Sequence, residues 1–269
     1  MADTDKVFSG SIPALYDRYL GPLIFEPYAA DMASRLSSLT KGNLLETAAG
    51  TGIVTRALDK ALPREVQITA TDLNQPMIDH AAKQLSSPRV TWHQANALEL
   101  PFEAASFDAV VCQFGAMFFP YKVKAYAEAR RVLKPGGRFV FNVWDRIEEN
   151  EFADIVTNTV KALFPADPPI FLARTPHGHH DLEKIRQDLR QAGFAEVTSE
   201  TVTRRSKAAN PRDPAMGYCQ GSPLRSEIEA RDADRLPEAT DAATAALAAR
   251  FGFGAVDGKI QAHIFEARG

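Results

Sequence analysis

Glu46, Ala48, Gly50 and Gly52 stand at alternate positions in LLETAAGTG, between an apolar run and the amphipathic stretch IVTRALDKAL. Small residues at a strand–helix junction let the backbone come close to a ligand. A second acid, Asp72, follows twenty residues after Gly52. Three ligands compete for such a turn: a nicotinamide dinucleotide, a nucleoside triphosphate, and an adenosyl group without phosphate. A dinucleotide turn reads G-x-G-x-x-G, and Thr55 stands where its third glycine belongs. A P-loop ends in Gly-Lys-Ser/Thr, whereas Gly52 is followed by Ile53 and Val54. Glu46 is badly placed for an anion. Its carboxylate would instead complement a cationic amino-acid moiety, directly or through water.

These residues need a scaffold, and residues 43 to 145 supply one by alternating apolar runs with helix-like segments. NLLET, VQITATD, RVTWHQA, FDAVVCQF and GRFVFNVWD read as five strands whose continuous apolar character suits a parallel sheet buried on both faces. GIVTRALDKAL, NQPMIDHAAKQL and KVKAYAEARRVL carry apolar residues at three- and four-residue spacing, as amphipathic helices do. Lys134-Pro135-Gly136-Gly137 is expected to stop the last helix and turn the chain into the fifth strand. This alternation implies right-handed crossovers and a doubly wound α/β sheet. Residues 8 to 40 read as helical. After residue 150 come a helix, the proline-rich loop FPADPPIFLARTPHGHH, and a second helix, DLEKIRQDLRQAG, with Asp181 as its N-cap. AEVTSETVTRRS and KIQAHIFEA read as partner strands, separated by about fifty helical residues.

Taken in order, the motifs resemble those of the class I S-adenosylmethionine-dependent methyltransferases, whose first motif is acid-x-Gly-x-Gly-x-Gly. The resemblance covers residues 43 to 145 and extends more loosely to the helical N-terminus. It implies a Rossmann-like sheet of seven strands, the last antiparallel, with a helical lid drawn from both flanks. The expected organisation is one domain over 1–269: an N-terminal helical cap at 1–40, a cofactor-binding core at 41–147, lid insertions at 148–193 and 206–256, and C-terminal strands at 194–205 and 257–269. S-adenosylmethionine is the implied cofactor. By position, the resemblance gives Glu46, Ala48, Gly50 and Gly52 to its methionyl and ribose side, and Asp72 to both ribose hydroxyls. Leu73 and Met77 fall to the adenine faces, Asn96 and Ala97 to the adenine edge, and Gln113 to the end of the fourth strand. Tyr16, in YDRYLGPLIFEPY, is assigned to the cofactor's carboxylate, with Tyr19, Phe25 and Tyr28 read as helix-packing aromatics. Two departures stand out. Asn96 replaces the commoner acid but retains an acceptor oxygen. Ala48 replaces the first glycine, which is tolerable at negative φ, the expectation here because Gly50 and Gly52 are intact.

Methyl transfer from a sulfonium is an in-line displacement, so the protein mainly aligns the reactants, a contribution of roughly 7–11 kcal/mol in favourable systems. The loop after the fourth strand, QFGAMFFP, lacks the Asn/Asp-Pro-Pro-Tyr/Phe pattern of nucleic-acid and protein-glutamine methyltransferases. Phe114, Met117 and Phe118 suggest a small, apolar acceptor, with Trp144 and His177 as further substrate-side candidates. His177, His179 and His180 read most simply as solvated loop residues, and functionally as a base on the lid. No metal site is expected, because only Asp181 offers a further ligand nearby.

The 269-residue chain has 31 Lys and Arg against 34 Asp and Glu, a formal net charge of −3, and Arg204-Arg205 is the only notable basic pair in its second half. That disfavours a nucleic-acid surface. Two cysteines make no disulfide framework, the polar start MADTDKVFSG has no apolar signal region, and no stretch is long enough to span a membrane. A cytoplasmic location follows as an expectation; oligomeric state is not readable. A nucleotide-dependent oxidoreductase and a non-catalytic adenosylmethionine-binding or regulatory protein are the rival functional readings.

Overall fold

A computed structural model describes residues 12–269. The N-terminal segment 1–11, including the start of the expected helical region at residue 8, lies outside the described residues. Two compact units form: residues 28–143, 180–202 and 262–269 make one, and residues 12–27 with 144–179 and 203–261 make the other.

The sheet unit opens with α2 (Glu26–Arg35), which follows α1 (Ile12–Leu15) and a π-helical stretch, Tyr16–Phe25. It then alternates β1 (Gly42–Glu46), α3 (Ile53–Ala61), β2 (Val66–Asp72), α4 (Gln75–Gln84), β3 (Val90–Gln94), β4 (Phe107–Gln113), α5 (Lys122–Val132) and β5 (Leu133–Trp144). These bounds agree with the expected strands and helices to within a residue or two, except at β5. There Lys134-Pro135-Gly136-Gly137 lies inside the strand as an irregularity: Phe107 pairs with Leu133 and Ala109 with Arg138. Gly136 takes φ +78°, so glycine lets the strand bulge rather than begin afresh.

The strand order is β3-β2-β1-β4-β5-β7-β6, with β6 at Glu196–Ala208 and β7 at Val256–Arg268. β1 to β5 pair in parallel, Leu44 lying beside Ile68 on one side and Ala109 on the other. The last strand is antiparallel. Strand order reverses between β1 and β4, and a crevice at the carboxyl ends of strands there is where open α/β sheets bind ligands. Leu44, Leu45, Val110, Val111, Phe139, Val140 and Phe141 are buried, which explains why the central strands are apolar on both faces.

The other unit is mainly helical. It holds α6 (Glu151–Leu163), α7 (Phe171–Arg174), α9 (Arg212–Gln220), α10 (Leu224–Asp232) and α11 (Leu236–Phe251), while α8 (Leu182–Gln191) belongs to the sheet unit. The proline-rich loop thus contains a short helix, α7, stabilised where Glu227 accepts from the amides of Ile170 and Phe171. Asp181 caps α8 by accepting from the amides of Glu183 and Lys184. No described helix is long and apolar enough to cross a membrane.

Candidate cofactor site at the ends of β1, β2 and β4

The turn after β1 is pinned on both sides. Thr47 donates its amide to Val111 of β4 at 2.9 Å, and Ala49 donates to Thr71 of β2 at 2.9 Å. Gly50 donates to Oδ2 of Asp72 at 2.9 Å, while Asn74 donates its amide to the other carboxylate oxygen at 2.8 Å. The Gly50 and Asn74 amides, with a longer bond from the Asn74 side chain to Oδ1 at 3.4 Å, fix the Asp72 carboxylate at the end of β2, and Oδ2 keeps lone-pair capacity for a ligand hydroxyl. Burial dominates over these bonds and pushes the Asp72 carboxyl upward.

The two glycines of the turn serve different purposes. Gly50 has φ +56°, and a Cβ built on it meets nothing within 4 Å, so its backbone borders open space. Gly52, at φ +78°, would drive a Cβ to 2.8 Å from the Trp92 ring. Gly50 suits a ligand lying against the turn, and Gly52 is required by packing.

Ala48 corrects an expectation. Its φ is +54°, in the left-handed region, not negative. Such a conformation costs an L-residue about 1–2 kcal/mol. The methyl group is accommodated by a second small residue: a Cβ on Gly115, in the loop after β4, would lie 2.4 Å from the Ala48 Cβ and 2.7 Å from Cys112 Sγ. The glycine absent from the first motif has a counterpart across the crevice.

Glu46 is buried, and its Oε2 accepts from the Thr55 hydroxyl at 2.6 Å. Burial pushes its carboxyl up to about 8, with the nearby Asp72 charge adding to the shift and Arg56 opposing it. A cationic ligand group would supply the compensation that this acid lacks. Around the same strand ends, Leu73 is 46% exposed while Met77 is buried. Asn96 is exposed, and its Oδ1 accepts the Leu98 amide at 3.0 Å in a local turn, which leaves a second lone pair for a donor. Ala97 is half-buried beside it, and Gln113 closes β4. Glu46, Ala48, Gly50, Asp72 and Gln113 thus converge on the ends of three adjacent strands. An adenosyl ligand with a cationic chain fits this set: an open glycine cradle, a fixed carboxylate and a buried acid.

The loop after β4 is tightly held. Phe114 has φ +50° and is buried, its ring edge-on to Tyr28 at 5.3 Å between centroids. Tyr28 itself donates to the Val202 carbonyl at 2.9 Å, so it packs as expected of a helix aromatic. Met117 is buried and Phe118 half-buried in a short turn, Ala116–Phe118. Lys122 Nζ donates to the Phe119 carbonyl at 3.0 Å and more distantly to that of Met117.

Tyr16, Trp144 and His177 belong to the helical unit. Tyr16 stacks on Phe25 with ring centroids 4.8 Å apart, Phe25 lies 6.3 Å from Trp144, and Trp144 lies 5.9 Å from His177. His177 is not a solvated loop residue. It is buried because its ring packs on Trp144 and its Nδ1–H is donated to the Asp145 carbonyl at 2.8 Å. His180 is exposed and His179 half-buried. Among the described residues no group of His, Cys, Asp and Glu is arranged to hold a metal ion.

Sequence reasoning missed Thr55, Gly115, Lys122 and Asn142. Asn142 alone left a signal, as a carboxamide in the apolar run FVFNVW.

The chain is similar to proteins already known. Residues 45–141 match the family described as methyltransferase domain. A ubiquinone/menaquinone biosynthesis C-methyltransferase of Rhizobium etli is 32% identical over 179 residues, covering 60% of this chain and 67% of the relative. The enzyme of the same name from a Marinomonas species is 30% identical over 62% of this chain and 72% of its own. Among solved structures, a putative methyltransferase from Bacillus halodurans superposes with a TM-score of 0.58 at 18% identity, over 89% of this chain and 97% of that one. Phosphoethanolamine N-methyltransferase 2 of Haemonchus contortus, in complex with S-adenosyl-L-methionine, gives 0.59 at 19% identity, over 95% and 56%.

Proposed function

For a chain that belongs to the class I S-adenosylmethionine-dependent methyltransferases, we propose that the acceptor is a small, largely apolar ring of the quinone type, methylated in its reduced, hydroxylated form. One observation carries the acceptor class: the loop that leaves β4 beside Ala48 is built from Phe114, Gly115, Ala116, Met117, Phe118 and Phe119, with no amide or acid among them. The names of the C-methyltransferase relatives point the same way.

S-adenosylmethionine supplies a methyl group already activated on a sulfonium. What this chain contributes is binding, alignment and exclusion of water. Asp72, fixed by the Gly50 and Asn74 amides, would hold the ribose hydroxyls. Glu46 would hold the amino group of the methionyl chain, losing its own proton as the cation arrives. Leu73 and Met77 would flank adenine, and Asn96 and Ala97 would meet its edge. The apolar loop after β4 would exclude water from a carbon nucleophile, which a ring hydroxylate makes electron-rich once its proton has left.

The test is transfer of label from methyl-labelled S-adenosylmethionine to 1,4-naphthohydroquinone, with catechol and histamine as acceptors of contrasting chemistry. The proposal expects carbon-bound label in the naphthohydroquinone and little in the others. Preferential labelling of the amine would overturn it.

A further inference from the structure

We infer that Asn142 is a positioning residue: it holds Phe114 in its left-handed conformation and so fixes the loop that meets the acceptor. Its link to the acceptor rests on the functional reading above. Asn142 lies on β5 opposite Gln113, the last residue of β4, and is fully buried. Its Oδ1 accepts the Phe114 amide at 2.8 Å, and the same amide reaches the Asn142 backbone carbonyl only at 3.3 Å. The amide is thus shared, and the side-chain oxygen is its shorter partner at the point where the chain leaves the sheet.

That side-chain bond has a conformational consequence. Phe114 sits at φ +50°, a conformation an aromatic residue keeps only where its surroundings impose it. Tyr28 holds the ring and Asn142 holds the amide. The neighbouring Gly115 then closes on the Ala48 methyl, and Lys122 secures the far end of the turn through the Phe119 carbonyl. Packing does not explain Asn142. Phe139, Val140, Phe141 and Val143 around it on the strand are apolar and buried, so a leucine would serve the core better. Its Nδ2 is buried without a hydrogen-bond partner, and burying an unmet amide donor is unfavourable. The residue is therefore kept for its Oδ1 and for the loop geometry that atom fixes.

Asn142→Leu removes the acceptor at similar volume, and Asn142→Asp retains an acceptor oxygen. In Asn142→Leu, amide exchange across residues 113–119 should quicken by at least about tenfold, the size of one lost hydrogen bond, while residues 44–52 exchange as before. Affinity for S-adenosylhomocysteine should stay within about twofold, and KM for 1,4-naphthohydroquinone should rise by about tenfold. Asn142→Asp should recover most of both losses. Should Asn142→Leu fail to fold, Asn142→Val, smaller and equally unable to accept, takes its place. The inference is overturned if the exchange of 113–119 is unchanged, if the leucine and aspartate variants are equally impaired, or if homocysteine-product affinity falls in step with acceptor KM. Failure of the wild type to methylate the naphthohydroquinone would sink the acceptor reading instead, and the exchange data with their aspartate rescue would still decide the role of Asn142.

Discussion

Replacing Glu46 by glutamine should make the ligand-free protein more stable at alkaline pH and nearly unchanged at acid pH. Glu46 is buried and its carboxyl is pushed up to about 8 from an ordinary value of 4.5. The folded state therefore binds a proton that the unfolded state has released, and stability falls as pH rises between those two values. Above about 8 both states are ionised and the loss is complete. A shift of this size corresponds to a ceiling of about 5 kcal/mol. Relaxation and water penetration reduce such penalties, so about 2 kcal/mol is the expected measured difference. Glutamine keeps an oxygen for the Thr55 hydroxyl and never ionises. Urea unfolding of wild type and Glu46→Gln at pH 5 and pH 9 measures the effect. The variant should gain about 2 kcal/mol over wild type between the two conditions, and should bind S-adenosylhomocysteine more weakly at both. An equal difference between the two proteins at pH 5 and pH 9 would mean that Glu46 does not carry the buried proton.

Gly50→Ala should lose about 1 kcal/mol of stability from its positive φ, yet lose most cofactor affinity, because its Cβ enters the open space beside the turn; calorimetry with and without S-adenosylhomocysteine separates the two effects. Gly52→Ala should lose about 2–4 kcal/mol, since it adds a collision with Trp92 to the backbone strain, read from its urea midpoint. Gly115→Ala should destabilise by about 1–3 kcal/mol through its clash with Ala48 and Cys112. Adding Ala48→Gly should restore part of that loss, and a double-mutant cycle without coupling between the two sites would show that they are not a matched pair.

Most of the sheet is legible in the sequence because its periodicities are local. VQITATD is β2 residue for residue, and the helices between strands carry their own amphipathic spacing. The turn residues that hold Asp72 and line the glycine cradle follow from motif order. What escaped depends on contacts distant in sequence. The positive φ of Ala48 is permitted by Gly115, sixty-seven positions later, and no local pattern links them. His177 looks solvated in a loop rich in proline and glycine, until Asp145 and Trp144 bury it. The KPGG stretch reads as a stop because bulges and turns share their residues, and only the pairing with β4 tells them apart. The stretch from Pro214 to Phe251 is legible as helix, and its last part, alanine-rich α11, carries strong intrinsic propensity.

In the proposed complex the adenosyl cofactor sits at the ends of β1 and β2, with its ribose on Asp72. Calorimetric titration of S-adenosylhomocysteine into wild type and into Asp72→Ala, each verified as folded, tests it most directly. Two charge-assisted bonds are at stake, so affinity should fall by at least about a hundredfold in the variant. Equal affinities in the two folded proteins would place the ribose elsewhere and contradict the account.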